Sequence, residues 1–82
     1  MKRQTISGLK EILKDDLLLD IEPSSIRGDD DLQSVVGLDS VGLVELRVAC
    51  EQRFNIQIPD DQFPQNFRTL NDLANLIERL QT

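Results

Sequence analysis

Apolar residues recur along the first stretch of the chain at Ile6, Leu9, Ile12, Leu13 and Leu17, in steps of three and four. That spacing predicts an amphipathic helix, with Lys10, Glu11, Lys14 and Asp15 on its polar face and Thr5 as its N-cap. A long connection follows, roughly from Asp20 to Asp39. Pro23, Ser24, Ser25, Gly28 and the run Asp29-Asp30-Asp31 interrupt any regular element there. Ile21, Ile26, Leu32, Val36 and Leu38 are scattered through it without period, the pattern of an ordered loop pinned across a core.

A second helix is predicted from Asp39-Ser40 to about Phe54. A brief element at Pro59-Asp60-Asp61-Gln62-Phe63, bracketed by Pro64, has room for one or two helical turns. The last helix opens at Thr69, with Asp72 placed as in a capping box, and Leu70, Leu73, Ala74, Leu76, Ile77 and Leu80 form its apolar face. Ile56-Gln57-Ile58 is too short for a strand and stops at Pro59. Together these elements predict an all-α fold. It is a small four-helix bundle, three main helices plus one short helix, with a long loop between helices 1 and 2. The 82 residues fit one domain spanning 1–82.

The second helix departs from the usual single stripe. At about 100° per residue, Leu43, Leu46, Cys50 and Phe54 gather on one side. Val41, Val44 and Val48, with Glu45, gather on another, about half a turn away. Two apolar stripes fit a helix sandwiched between neighbours. They equally fit one buried face and one face offered to a partner, with Glu45 selecting a basic surface.

Composition narrows the partners. Nine basic residues against fifteen acidic give a net charge of -6. Such a surface repels phosphate backbones, which argues against nucleic acid, and either keeps a small protein soluble or favours Lys- and Arg-rich partners. The single cysteine, Cys50, provides neither an internal disulfide nor a metal-ligand spacing. No apolar run approaches the roughly 18 residues that suggest a membrane span, and the start has no signal core. The expectation is a cytoplasmic protein. A calcium loop opening at Asp29 fails because Ser34 and Ser40 fall where Gly and Glu are required, so no metal is expected.

Ser40 stands where the second helix begins. A hydroxyl there can be a cap, but free amides and the helix dipole also suit a phosphate ester. Asp39 is the more natural capping side chain, which leaves Ser40 free. The chain has no histidine, and no acidic or basic dyad accompanies Ser40, so an enzyme is not expected.

Gly37-Leu38-Asp39-Ser40, followed by Val41 and Leu43-Val44-Glu45-Leu46, resembles the phosphopantetheine attachment motif of acyl carrier proteins. The resemblance extends over nearly the whole chain, through Ile21 to Ile26, Phe54 to Asp60 and the closing helix. It implies a carrier rather than an enzyme. A separate phosphopantetheinyl transferase would move 4'-phosphopantetheine from coenzyme A to Ser40, aided by Mg²⁺, and the arm would hold acyl groups as thioesters. It further implies that Asp39 serves transferase recognition and that Val41, Val44, Glu45 and Val48 meet acyl-loading and acyl-processing enzymes. By the same analogy the protein is a monomer.

Within the family the details point in several directions. Arg47 and Arg53 interrupt the acidic second helix typical of primary fatty acid synthesis, and Gln52 stands where an acid is common. Val44-Glu45-Leu46-Arg47 resembles polyketide carriers, whereas Phe54 to Asp60 resembles stand-alone carriers. Leu38 departs from the peptide-synthetase motif. These features favour a stand-alone carrier of polyketide or other specialised biosynthesis. A fatty acid synthesis carrier, or a helical adaptor with unmodified Ser40, remains the alternative.

Overall fold

The computed structural model describes residues 2–20, 22–63 and 65–81. Ile21 and Pro64, named above as a loop anchor and an element boundary, lie outside them. Three helices carry the fold: α1 (Lys2–Glu11), α2 (Ser40–Phe54) and α3 (Leu70–Gln81). The short fourth helix is reduced to two single 3₁₀ turns, Asp60–Gln62 and Gln65–Phe67. Among the described residues the only strand-like pairing is an isolated antiparallel bridge between Asp31 and Thr69.

The leucine-rich stripes build one core. Leu9, Ile12 and Leu13 from the first helical segment meet Leu70, Leu73, Ala74, Leu76 and Ile77 from α3, and Leu43, Leu46 and Cys50 of α2 join them. Each fully buried leucine or isoleucine contributes about 1.5–3 kcal/mol relative to exposure, which makes this periodicity the dominant instruction in the sequence. The connection between α1 and α2 is anchored as its spacing suggests, with Ile26, Leu32, Val36 and Leu38 all buried.

The start of α1 differs from expectation. The helix begins at Lys2, so Thr5 is an interior residue and not the N-cap. Thr5 lies on the core-facing side, where its hydroxyl donates to the Glu78 carboxylate of α3 at 3.2 Å. A polar side chain is tolerated in that buried place because it finds a partner. The end of the same segment also differs. Residues Ile12–Asp16 continue as a wider π-type turn, closed by the Leu17 amide donating to the Ile12 carbonyl at 3.0 Å.

The long loop is stitched to the start of α3. The Leu32 amide donates to the Arg68 carbonyl at 2.8 Å, and the Asn71 amide to the Gly28 carbonyl at 2.9 Å. Thr69 caps α3, its hydroxyl accepting the Asp72 amide at 3.1 Å. The aspartate run serves the loop itself. Asp30 accepts from the Arg27 amide, and Asp31 accepts from the amides of Gln33 and Ser34, all at 2.9 Å. The Ser34 and Gln33 amides hold the Asp31 carboxyl below its ordinary value, with Arg68 adding a smaller charge effect.

The two arginines of α2 are tied down within the chain. Arg47 donates to the Ile58 carbonyl at 2.6 Å and to the Asp60 carboxylate at 2.7 Å, and it lies over the Phe63 ring at 5.1 Å. Phe63 in turn meets Phe67 edge-on at 4.9 Å. Arg53 donates to the Glu11 carboxylate at 2.6 Å, linking the end of α2 to α1.

Replacing Arg47 by alanine removes a fork donor and a cation–π contact, so urea unfolding should show a loss of about 1–2 kcal/mol. Arg47→Lys should recover only part of it. Asp31 gives an acid-side expectation. Its lowered pKa makes its contribution complete above the ordinary value of 3.8, and that contribution fades as pH falls through the lowered value. In acid titrations followed by circular dichroism, Asp31→Asn should therefore lower stability near neutrality and narrow its gap to the parent as pH drops.

Candidate functional site

Helix α2 is started by its cap. Asp39 has extended backbone geometry, and its Oδ1 accepts the Gly42 amide at 2.7 Å. Leu38, just before it, is buried and takes the loop into the core, its amide donating to the Leu32 carbonyl at 2.9 Å. Gly37 has φ of +90°, which side-chain-bearing residues rarely adopt, and its Cβ direction is open. Gly42 is small for a different reason: a Cβ there would sit 3.1 Å from Leu38 Cδ2 and 3.3 Å from Asp39 Oδ1. The glycines thus let the chain turn sharply and let the buried Leu38 pass close under the first turn.

This arrangement presents Ser40 in the first turn of α2, exposed. Among the described residues nothing bonds its hydroxyl, because Asp39 does the capping. The amides of Ser40 and Val41 likewise make no hydrogen bond among the described residues. An exposed hydroxyl beside free amides at the positive end of a fifteen-residue helix can accommodate a phosphodiester. The residues present therefore fit a phosphate-linked arm.

The two stripes of α2 separate as their spacing allows. Leu43, Leu46 and Cys50 are buried, whereas Val41, Val44 and Val48 are 63%, 50% and 46% exposed, with Glu45 exposed among them. Leaving those valines outside forgoes much of the 1.5–3 kcal/mol that each could yield on burial. Among the described residues no helix buries these valines, so the sandwich explanation of the second stripe does not hold.

Two clefts border the valine face. One, of about 280 Å³, is lined by Leu17, Leu19, Leu38, Asp39, Val41 and Glu45, among others. The second, of about 340 Å³, is lined by Asp16, Leu17, Val44, Val48, Ala49 and Gln52 together with Glu45. Leu17 and Glu45 belong to both. Asp16, Leu17 and Leu19 line these clefts, a placement that residue patterning missed. The signal available was the run Leu17-Leu18-Leu19, more consecutive apolar residues than one helix face can use.

Cys50 has no part in this surface. It is fully buried, and burial pushes its thiol up to about 12, with Glu51 adding to the effect. Burial and the raised thiol both disfavour the nucleophilic thiolate. Among the described residues no group of three or more His, Cys, Asp or Glu side chains could hold a metal ion, and no helix is long and apolar enough to cross a membrane.

Residues 7–77 match the phosphopantetheine attachment site family. An acyl carrier protein of Coprothermobacter proteolyticus is 37% identical over 79 residues, covering 95% of this chain and 93% of that protein. The meromycolate extension acyl carrier protein of Mycolicibacterium aurum is 29% identical over 80 residues, covering 98% and 79% respectively. The acyl carrier protein of Thermobifida fusca is 27% identical over 78 residues, covering 95% of each. The chain belongs to the phosphopantetheine-binding acyl carrier protein family. It is a non-catalytic carrier whose cofactor is a covalently attached phosphopantetheine.

The cap and the charge of Asp39 are separable. Asp39→Ala should cost about 1 kcal/mol in chemical unfolding by orphaning the Gly42 amide. Asp39→Asn should retain most of that stability, because its amide oxygen still accepts.

Proposed function

We propose that Ser40 carries the phosphopantetheine arm and that the face formed by Val41, Val44, Glu45 and Val48 docks the enzymes that load and process its cargo. The observation that carries the reading is the division of labour at the start of α2. Asp39 closes the helix and leaves the Ser40 hydroxyl exposed and uncommitted.

Ser40 supplies the oxygen that forms the new bond to phosphorus as the pyrophosphate of coenzyme A breaks and adenosine 3',5'-bisphosphate leaves. Its proton passes to a base on the phosphopantetheinyl transferase, since this chain has no histidine. Asp39, next to Ser40, offers that enzyme and its Mg²⁺ a carboxylate. When attached, the arm supplies a thiol that holds acyl groups as thioesters.

On the docking face, Glu45 contributes negative charge between the valines, a combination suited to an apolar knob flanked by Lys or Arg. Arg47 and Arg53 do not oppose such a partner, because each is already paired with a carboxylate of this chain. The proposed pathway is polyketide or other specialised biosynthesis. Relatives named for meromycolate extension are in keeping with a specialised acyl cargo. The carrier is proposed to act as a single-domain monomer in the cytoplasm.

Incubation with coenzyme A, Mg²⁺ and a broad-specificity transferase should add the mass of one phosphopantetheinyl group to the intact protein. Ser40→Ala should gain nothing while keeping the parent's helical circular dichroism. A folded parent that gains no mass with several transferases would instead favour an adaptor using the same face unmodified.

A further inference from the structure

The first helical segment is closed by two backbone bonds. The Leu17 amide donates to the Ile12 carbonyl at 3.0 Å, and the Leu19 amide to the Leu13 carbonyl at 3.1 Å. A closure of this kind needs one residue in the left-handed region, a place that glycine fills freely and asparagine tolerates. Here Leu18 fills it, at φ 55°. Helix α2 ends on the same conformation at φ 54°, and there the residue is Asn55. Among the described residues these are the only two besides glycine with positive φ.

Leucine meets a second cost at this position. Its side chain is 81% exposed, the most of any large apolar residue described. Left-handed strain and an uncovered apolar side chain both weigh against the folded state, and so little burial offsets neither. The fold would be served better by glycine or asparagine.

The surroundings of Leu18 give it a use. Leu17 and Leu19, on either side of it, are half-buried and form the wall of the two clefts beside α2. Leu17 lines both clefts, and Leu19 lines the one that borders Asp39 and Val41. Leu18 therefore stands at the rim of that wall, with the exposed valines of α2 across the clefts and Glu45 in both of them. Apolar side chains from two elements frame one continuous surface, broader than the face of α2 alone.

We infer that Leu18 is a second apolar anchor of the docking surface, seated in an apolar socket of the phosphopantetheinyl transferase while the valines of α2 meet the same enzyme. This rests on the reading of Ser40 and the valine face given above. The transferase is the occupant because it joins phosphorus to the Ser40 oxygen itself. Enzymes that act on the cargo meet a thiol at the end of an arm. The transferase has no arm to bridge the gap and must close on the surface beside Ser40, where Leu17 and Leu19 form the wall. Leu18 thus gives up stability in the free carrier for affinity in that complex.

The test sets stability against docking, using coenzyme A, Mg²⁺ and a broad-specificity transferase, with rates read by intact mass over a range of carrier concentrations. Leu18→Gly and Leu18→Asn should both unfold at higher urea than the parent. Loss of one buried leucine contact should raise their KM about tenfold, with kcat unchanged because Ser40 and Asp39 are untouched. Leu18→Met, which restores apolar bulk without relieving the strain, should keep the parent's KM and gain no stability. An unchanged KM in the glycine and asparagine variants would overturn the inference. So would a loss of stability in both, which would give Leu18 to the fold, or a parent that dimerises in sedimentation where Leu18→Asn does not, which would give it to a second copy. Each of these leaves Ser40 as the attachment site, whereas a folded parent that gains no arm at all removes the Ser40 reading itself.

Discussion

Burial of Leu43, Leu46 and Cys50 against the other helices fixes the rotation of α2 about its own axis, and the rest of the molecule follows from that angle. It turns Val41, Val44, Val48 and Glu45 outward. It aims Arg47 at the Ile58 carbonyl and Asp60, and Arg53 at Glu11. A domain of 82 residues has a thin core, and it covers one stripe of its central helix and leaves the other in water. The exposed valines are the residue of that geometric limit.

The loop before α2 adjusts the height of the helix as the core adjusts its rotation. Leu38 is buried under the first turn, and Gly37 takes the positive φ that lets the chain arrive there. Upstream, the loop is fastened to the beginning of α3 through Leu32, Gly28 and the Asp31–Thr69 bridge. The start of α2 is thereby referenced to α3 through the loop as well as through the core. Ser40, the proposed attachment serine, is held in one place by this double fixing.

Much of this was legible in the residues. The spacing of Leu70, Leu73 and Ile77, the caps Asp39 and Thr69, and the loop anchors Ile26, Leu32, Val36 and Leu38 all occupy the places that periodicity and capping chemistry predict. Three features were not. Thr5 resembled a cap because its partner, Glu78, lies 73 residues away, and only packing brings them together. Leu18 adopts a left-handed conformation for which leucine gives no local signal. The wall formed by Leu17 and Leu19 depends on the turn preceding it, which widens by one residue where the apolar spacing reads as ordinary helix.

The burial of Cys50 bears on the fidelity of cargo retention. Thioesters exchange freely with thiolates, and exchange between similar alkyl thiols is nearly balanced, so what prevents it is access rather than energy. A surface cysteine on a carrier would be permanently present at the effective concentration of an intramolecular neighbour, and a share of the acyl groups would sit on it instead of on the arm. At zero exposure, with its thiol pushed up to about 12, Cys50 is withdrawn from that exchange.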